Sequence, residues 1–188
     1  MFEVGLYRPS GEGAGDRIGI IDGSGNIGAD KVDFGVVALG IDPPQADLSD
    51  LRPMQAGFEG QVELSGWRAN RDPSDPQRLG VDLGWTALDR ADTDYTAFVH
   101  LLDGAGNIVS QQDHPPGSVD NPTKMWLPEE RIRSTFELAL PVSTALNNLM
   151  LRIGLYEPVS GRQLPVTHFE SESGEAGSTF ILLPLDLQ

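Results

Sequence analysis

Glycine and proline interrupt this chain so often that no long helix fits between the interruptions. Its 188 residues include 22 Gly and 14 Pro, the two residues least tolerated in helix interiors. Between them lie short runs rich in Val, Ile, Leu, Phe and Tyr, with no sustained 3.6-residue period. The pattern predicts strands at about 2–7, 17–21, 32–38, 58–67, 79–87, 95–103, 107–112, 134–140, 148–156, 163–169 and 179–185. In the run from Gln61 to Trp67, Val62, Leu64 and Trp67 are separated by polar residues, as in a half-buried antiparallel strand. The one helix candidate is a turn near 127–133, where Pro128-Glu129-Glu130 suits a first turn. The expected fold is all-β, an immunoglobulin-like antiparallel sandwich.

A second pattern runs across the whole chain. Residues 2–39 align with residues 151–188 without a gap at a constant offset of 149. Val4-Gly5-Leu6-Tyr7-Arg8-Pro9 lies on Ile153-Gly154-Leu155-Tyr156-Glu157-Pro158, and Ser24-Gly25 lies on Ser173-Gly174. The expected organisation is a partial repeat of the C-terminal strands at 1–39, a linker at 40–53 carrying Pro43-Pro44 and three Asp, and a complete sandwich at 54–188. On this reading the chain begins in mid-domain. A set of strands of this kind must satisfy its edges, so pairing or exchange between two copies as a homodimer is expected.

The formal net charge of −15 disfavours nucleic acid and anionic lipid, both of which reward Lys and Arg. With no cysteine, thiol chemistry and disulfides are excluded. No apolar run reaches the ~18 residues of a membrane span, so insertion of these residues into a bilayer is not expected. The first residues, MFEVGLYRPSGEG, lack the basic and apolar regions of a signal peptide.

Four residues are candidates for ligand contact. Alternation places His100 on one strand face with Phe98 and Leu102, and the returning strand carries Asp113 within reach. A hydrolase would use His100 as general base and Asp113 to orient it, but no nucleophile accompanies them: Ser110 sits in no G-x-S-x-G elbow. The simpler reading is a hydrogen-bonded pair tying two strands. Trp126, in a loop, and Tyr95 offer aromatic faces for a sugar ring, whereas Trp67 and Trp85 alternate as core. Asp22, Asn26, Asp103 and Asn107 frame two D-G-x-G-N turns that resemble fragments of calcium loops but lack the closing Glu. His168 is expected to be exposed, and the three histidines have no zinc spacing. No cofactor is expected.

The string from Phe98 through Gly117 (F-V-H-L-L-D, then G-N-I-V, then D-x-P-P-G), with Pro122-Thr123, Trp126-Leu127-Pro128, Leu140-Pro141 and the run from Ile153 to Val166, supports a family comparison. It resembles soluble β-sandwich domains found beside bacterial membrane glycosyltransferases of the dolichyl-phosphate-mannose protein mannosyltransferase type. The resemblance implies an extracytoplasmic accessory module of a larger membrane-anchored parent. Such a module positions a glycan or acceptor protein, or acts as a spacer, and is not an enzyme itself. The rival expectations are a self-standing carbohydrate-binding module and the His100–Asp113 hydrolase.

Overall fold

The computed structural model describes residues 45–118, 120–140 and 148–185, together with the backbone of six short strands within residues 2–34. It divides into two compact units, Met1–Asp42 and Pro43–Gln188. In the first, β1 (Phe2–Val4) pairs antiparallel with β6 (Val32–Phe34), β2 (Tyr7–Arg8) with β3 (Asp16–Arg17), and β4 (Ile20–Ile21) with β5 (Ile27–Ala29).

The second unit is a β-sandwich. Its strands are β7 (Arg52–Phe58), β8 (Val62–Asp72), β9 (Asp75–Ala87), β10 (Thr96–Leu102), β11 (Ile108–His114), β12 (Arg131–Ala139), β13 (Leu149–Tyr156), β14 (Val166–Glu170), β15 (Glu175–Ala176) and β16 (Ile181–Leu185). One five-stranded sheet runs β11-β10-β13-β16-β15 and the other β12-β9-β8-β7-β14, with antiparallel pairing throughout both. Period-2 alternation sends Ala97, Val99 and Leu101 from β10, and Leu149, Leu151, Ile153 and Leu155 from β13, into the shared core. They meet Leu64, Trp67, Val81, Leu83, Trp85 and Phe136 from the facing sheet. Trp85 is fully buried, and its indole N–H donates to Ser134 Oγ at 2.8 Å, so the core tryptophan keeps a polar partner. No helix among the described residues is long and apolar enough to cross a membrane.

One expectation is corrected. Residues 127–133 form no helix: a 3-10 turn at Thr123–Met125 is followed by Glu129 at φ 71, and Arg131 already opens β12. A single turn forms there, the Glu130 N–H donating to the Leu127 carbonyl at 2.9 Å, and Glu129 at positive φ stops it from propagating as a helix. Within the stretch 40–53, residues 45–51 lie against β8, β9 and β12 of the sandwich, and Arg52 opens β7. Gly66 and Gly84 form a cross-strand pair on β8 and β9, and a Cβ on Gly84 would lie 2.8 Å from both Leu48 and Leu51. The two leucines therefore seat where the glycines leave room. The Asp50 carboxylate closes the strap, accepting from Arg133 at 2.7 and 3.0 Å and pairing with Arg68. Both arginines also donate to Asp82, at 2.7 and 2.9 Å.

One lateral edge of the sandwich is stitched by side chains. Ser110 Oγ and Gln112 Oε1 of β11 accept from the backbone N–H groups of Ala139 and Glu137 at 2.9 and 2.6 Å. His114 stacks on Phe136, ring centroids 3.8 Å apart, with its two ring nitrogens 2.8 and 3.1 Å from the carbonyl oxygens of Pro115 and Thr135. Every second residue of one edge strand thus ties down every second residue of the other.

Candidate functional site

The outer face of the β11-β10-β13-β16-β15 sheet carries a connected set of aromatic and charged side chains. Alternation leaves Thr96, Phe98, His100 and Leu102 on the side of β10 opposite the core. Register then places Tyr156, Gly154 and Arg152 of β13 against Thr96, Phe98 and His100, and Asp113 of β11 against Phe98. Phe98 is only 3% exposed although it points away from the core. Glycine at 154 explains this, since a Cβ there would come within 2.4 Å of the Phe98 ring. The ring lies in the space that a side chain would fill, with its centroid 5.0 Å from that of His100 and 6.4 Å from that of Tyr156.

His100 sits between two charges. Its Nδ1 is 2.7 Å from Arg152 Nη2, and its Nε2 is 3.6 Å from Asp113 Oδ1. A guanidinium only donates, so Nδ1 is the acceptor and the ring proton is on Nε2, facing the carboxylate. Burial pushes the imidazole pKa below its ordinary 6.5; Arg152 pushes the same way, against Asp113. The ring is therefore neutral at pH 7. Burial first, and then Asp113, push the Tyr156 phenol up. The Arg152 guanidinium lies 5.7 Å from the centroid of the Phe180 ring, and its Nε is buried without a hydrogen-bond partner. The row Asp113, His100, Arg152, Phe180 combines a carboxylate, an imidazole, a guanidinium and an aromatic ring.

Asp113 and His100 were expected to meet, and they do approach, although diagonally: Gln111 stands opposite His100 in the hairpin register. Arg152 is the closer partner, and sequence reasoning missed it. Its only signal was its place in the Leu151-Arg152-Ile153-Gly154 alternation, which says nothing about which strand lies alongside.

Tyr95 and Trp126 lie elsewhere and offer no open face. Each is nearly fully buried, 2% and 1% exposed. Trp126 Nε1 donates to the Asn121 carbonyl at 3.0 Å, and the Tyr95 hydroxyl donates to Gln61 Oε1 at 2.6 Å. Thr123 joins them, its hydroxyl accepting from Tyr95 N at 2.7 Å. Glu130, 3% exposed, accepts from Asn121 Nδ2 and from the Leu127 N–H, both at 2.9 Å. The Pro-Thr…Trp-Leu-Pro motif is thus a plug over one end of the sandwich.

Asp103 and Asn107 form a closed turn. The Asp103 carboxylate accepts from the N–H groups of Ala105 and Asn107 and from Asn107 Nδ2. The Asn107 side chain and then its backbone hold that carboxyl below the usual range. Asp22 and Asn26 lie outside the described residues. Among the described residues no three His, Asp or Glu side chains are grouped to hold a metal ion. His168 is exposed, 3.6 Å from Glu170 Oε1. A separate shallow groove on the other sheet runs between Pro53, Gln55, Glu63, Glu170 and Glu172, and its three carboxylates repel anions.

No protein-family model matches the chain, and no curated protein matches it. Among solved structures, the C-terminal domain of Wzt is similar with a TM-score of 0.45 at 10% sequence identity, over 73% of this chain and 81% of that one.

Proposed function

We propose that this chain is a non-catalytic carbohydrate-binding module that takes a glycan on the outer face of β10 and β13. The observation that carries the reading is the Asp113–His100–Arg152–Phe180 row, flanked by Tyr156 and floored by Phe98. The row sets a carboxylate, an imidazole and a guanidinium in line with aromatic rings on one sheet face, the polar and ring chemistry that takes a sugar's hydroxyl groups and its apolar face.

The same geometry speaks against the hydrolase. A general base needs a free ring nitrogen, whereas Nδ1 of His100 accepts from Arg152 and the Nε2 proton faces Asp113. The motifs from Phe98 to Gly117 and from Ile153 to Val166 favour an accessory role within a larger, membrane-anchored glycosyltransferase-like parent on the extracytoplasmic side. There the module would hold a glycan or acceptor.

The test is a glycan array probed with the intact chain and with Arg152→Met, followed by calorimetry on the strongest ligand. Retention of a defined glycan class, weakened at least about tenfold by R152M (1.4 kcal/mol) at unchanged melting temperature, is the expected result. No retention of any glycan at millimolar concentration would overturn the reading.

A further inference from the structure

We infer that residues 2–34 are the closing strands of a second sandwich, shaped to dock on a front half of the same kind as residues 45–140. Two registers coincide. The first is the sequence offset of 149. The second is backbone pairing: β1 and β6 pair as Phe2↔Phe34, Glu3↔Asp33 and Val4↔Val32. Adding the offset gives Leu151↔Leu183, Arg152↔Leu182 and Ile153↔Ile181, which are the observed partners in β13 and β16. Residues 5–31 separate the two strands, so no tight turn dictates this register. A slip of one residue would have broken the match at every position. The short strands between match in position only: β4, shifted by the offset, falls within β14, and β5 at the end of β15, but β4 pairs with β5 while β14 pairs with β7 and β15 with β16.

The equivalence says what kind of strand fits beside β1. In the complete sandwich β13 has β16 on one edge and β10 on the other. Among the described residues β1 has only β6. Its second edge offers a row of backbone donors and acceptors to an antiparallel strand. The sequence pattern names the type of strand. Phe2, Val4, Val32 and Phe34 stand at the positions of Leu151, Ile153, Ile181 and Leu183, all core residues of the second unit. Glu3 and Asp33 stand at the outward positions of Arg152 and Leu182. That is the binary pattern of a sheet with one buried face, and it fits a strand alternating like Thr96–Leu102.

Exchange between copies does not supply that strand. Each chain holds one front half, 45–140, already closed by its own β13 and β16. Swapping closing sets between two copies gains no new pairing. The occupant that fits this edge is the front half of a repeat of the same kind. Such a repeat would bring a second outer face in which Gly5 and Tyr7 stand for Gly154 and Tyr156, while Glu3 reverses the charge of Arg152.

The test is an engineered tandem in which residues 40–150 are repeated ahead of residue 2, compared with the 188-residue chain by hydrogen exchange. In the tandem, residues 2–34 should gain protection of roughly 100-fold or more, approaching that of 151–183, as expected on joining a cooperative core. Val4→Lys in the tandem should abolish that gain and leave 151–183 untouched. Equal exchange of 2–34 in both chains would overturn the inference. So would a tandem that aggregates, or protection of 2–34 that appears in the 188-residue chain on raising its concentration.

Discussion

Gly154 is the residue on which the proposed glycan face depends. A methyl group there would meet the Phe98 ring at 2.4 Å and the Thr179 carbonyl oxygen at 2.7 Å. Gly154→Ala should therefore expel Phe98 and disturb His100 beside it, weakening glycan retention at least as much as R152M does. Unlike R152M, it should also lower stability, by about 1–3 kcal/mol for an overpacked site, in a urea titration. Trp126 gives the opposite signature. It was legible as an unusual loop aromatic, but a lone tryptophan in a loop is equally consistent with a lid and with a contact residue. Only the Asn121 carbonyl at 3.0 Å and the ring's 1% exposure decide for the lid. Trp126→Ala should cost about 3–5 kcal/mol by denaturant melting. Any glycan still bound by the folded fraction should keep its affinity.

At the scale of elements, alternation was enough to read β8, β10, β13 and β16, because each buries one face against one core. β7 was missed for a physical reason. Pro53 and the acidic run before it read as linker chemistry, yet the strand's register shifts between Pro53 and Ala56, where a missing N–H is tolerated. The acidic run was equally misleading. Asp50 looks like a solvated linker residue until Arg68 and Arg133 are found to bind it from strands far along the chain. No spacing rule links these positions. Gly84→Val should lift Leu48 and Leu51 off the sheet and lower stability by about 1–3 kcal/mol, with protease nicking near residues 45–51 as a second sign. On the stitched edge, Gln112→Leu should strip the Glu137 N–H of its acceptor and cost about 1 kcal/mol, measured by thermal unfolding. Little change there would mean that water replaces the bond.

For the whole molecule, acid stability follows from groups held away from their ordinary pKa values. His100 titrates below 6.5 in the folded state, so the unfolded chain takes up its proton first. Stability should be full above 6.5 and decline as pH falls from there toward the folded value. His100→Gln should remove that part of the decline. For Asp50, held below its ordinary 3.8 chiefly by Arg133, the stabilisation is present above 3.8 and disappears as pH drops through the folded value. Asp82 follows the same course: burial raises it, but Thr135, Arg133 and Arg68 together outweigh burial. Urea titrations across this range should show two separate stages of loss in the native chain and one in H100Q. The all-β class was readable from residue pattern, and so was the approach of His100 to Asp113. The proposed glycan face as a whole was not, because it is assembled by pairing β10 with β13, and strand order is set by the fold rather than by any local signal.

The most direct measurement is an amide and arginine side-chain NMR titration of the labelled chain with the strongest glycan from the array. Shifts concentrated at Phe98, His100, Asp113, Arg152 and Tyr156 are expected, with the Arg152 side-chain N–H groups among the largest. Shifts centred instead on the Glu63–Glu170 groove, or no saturable shifts at all, would contradict the proposed glycan face.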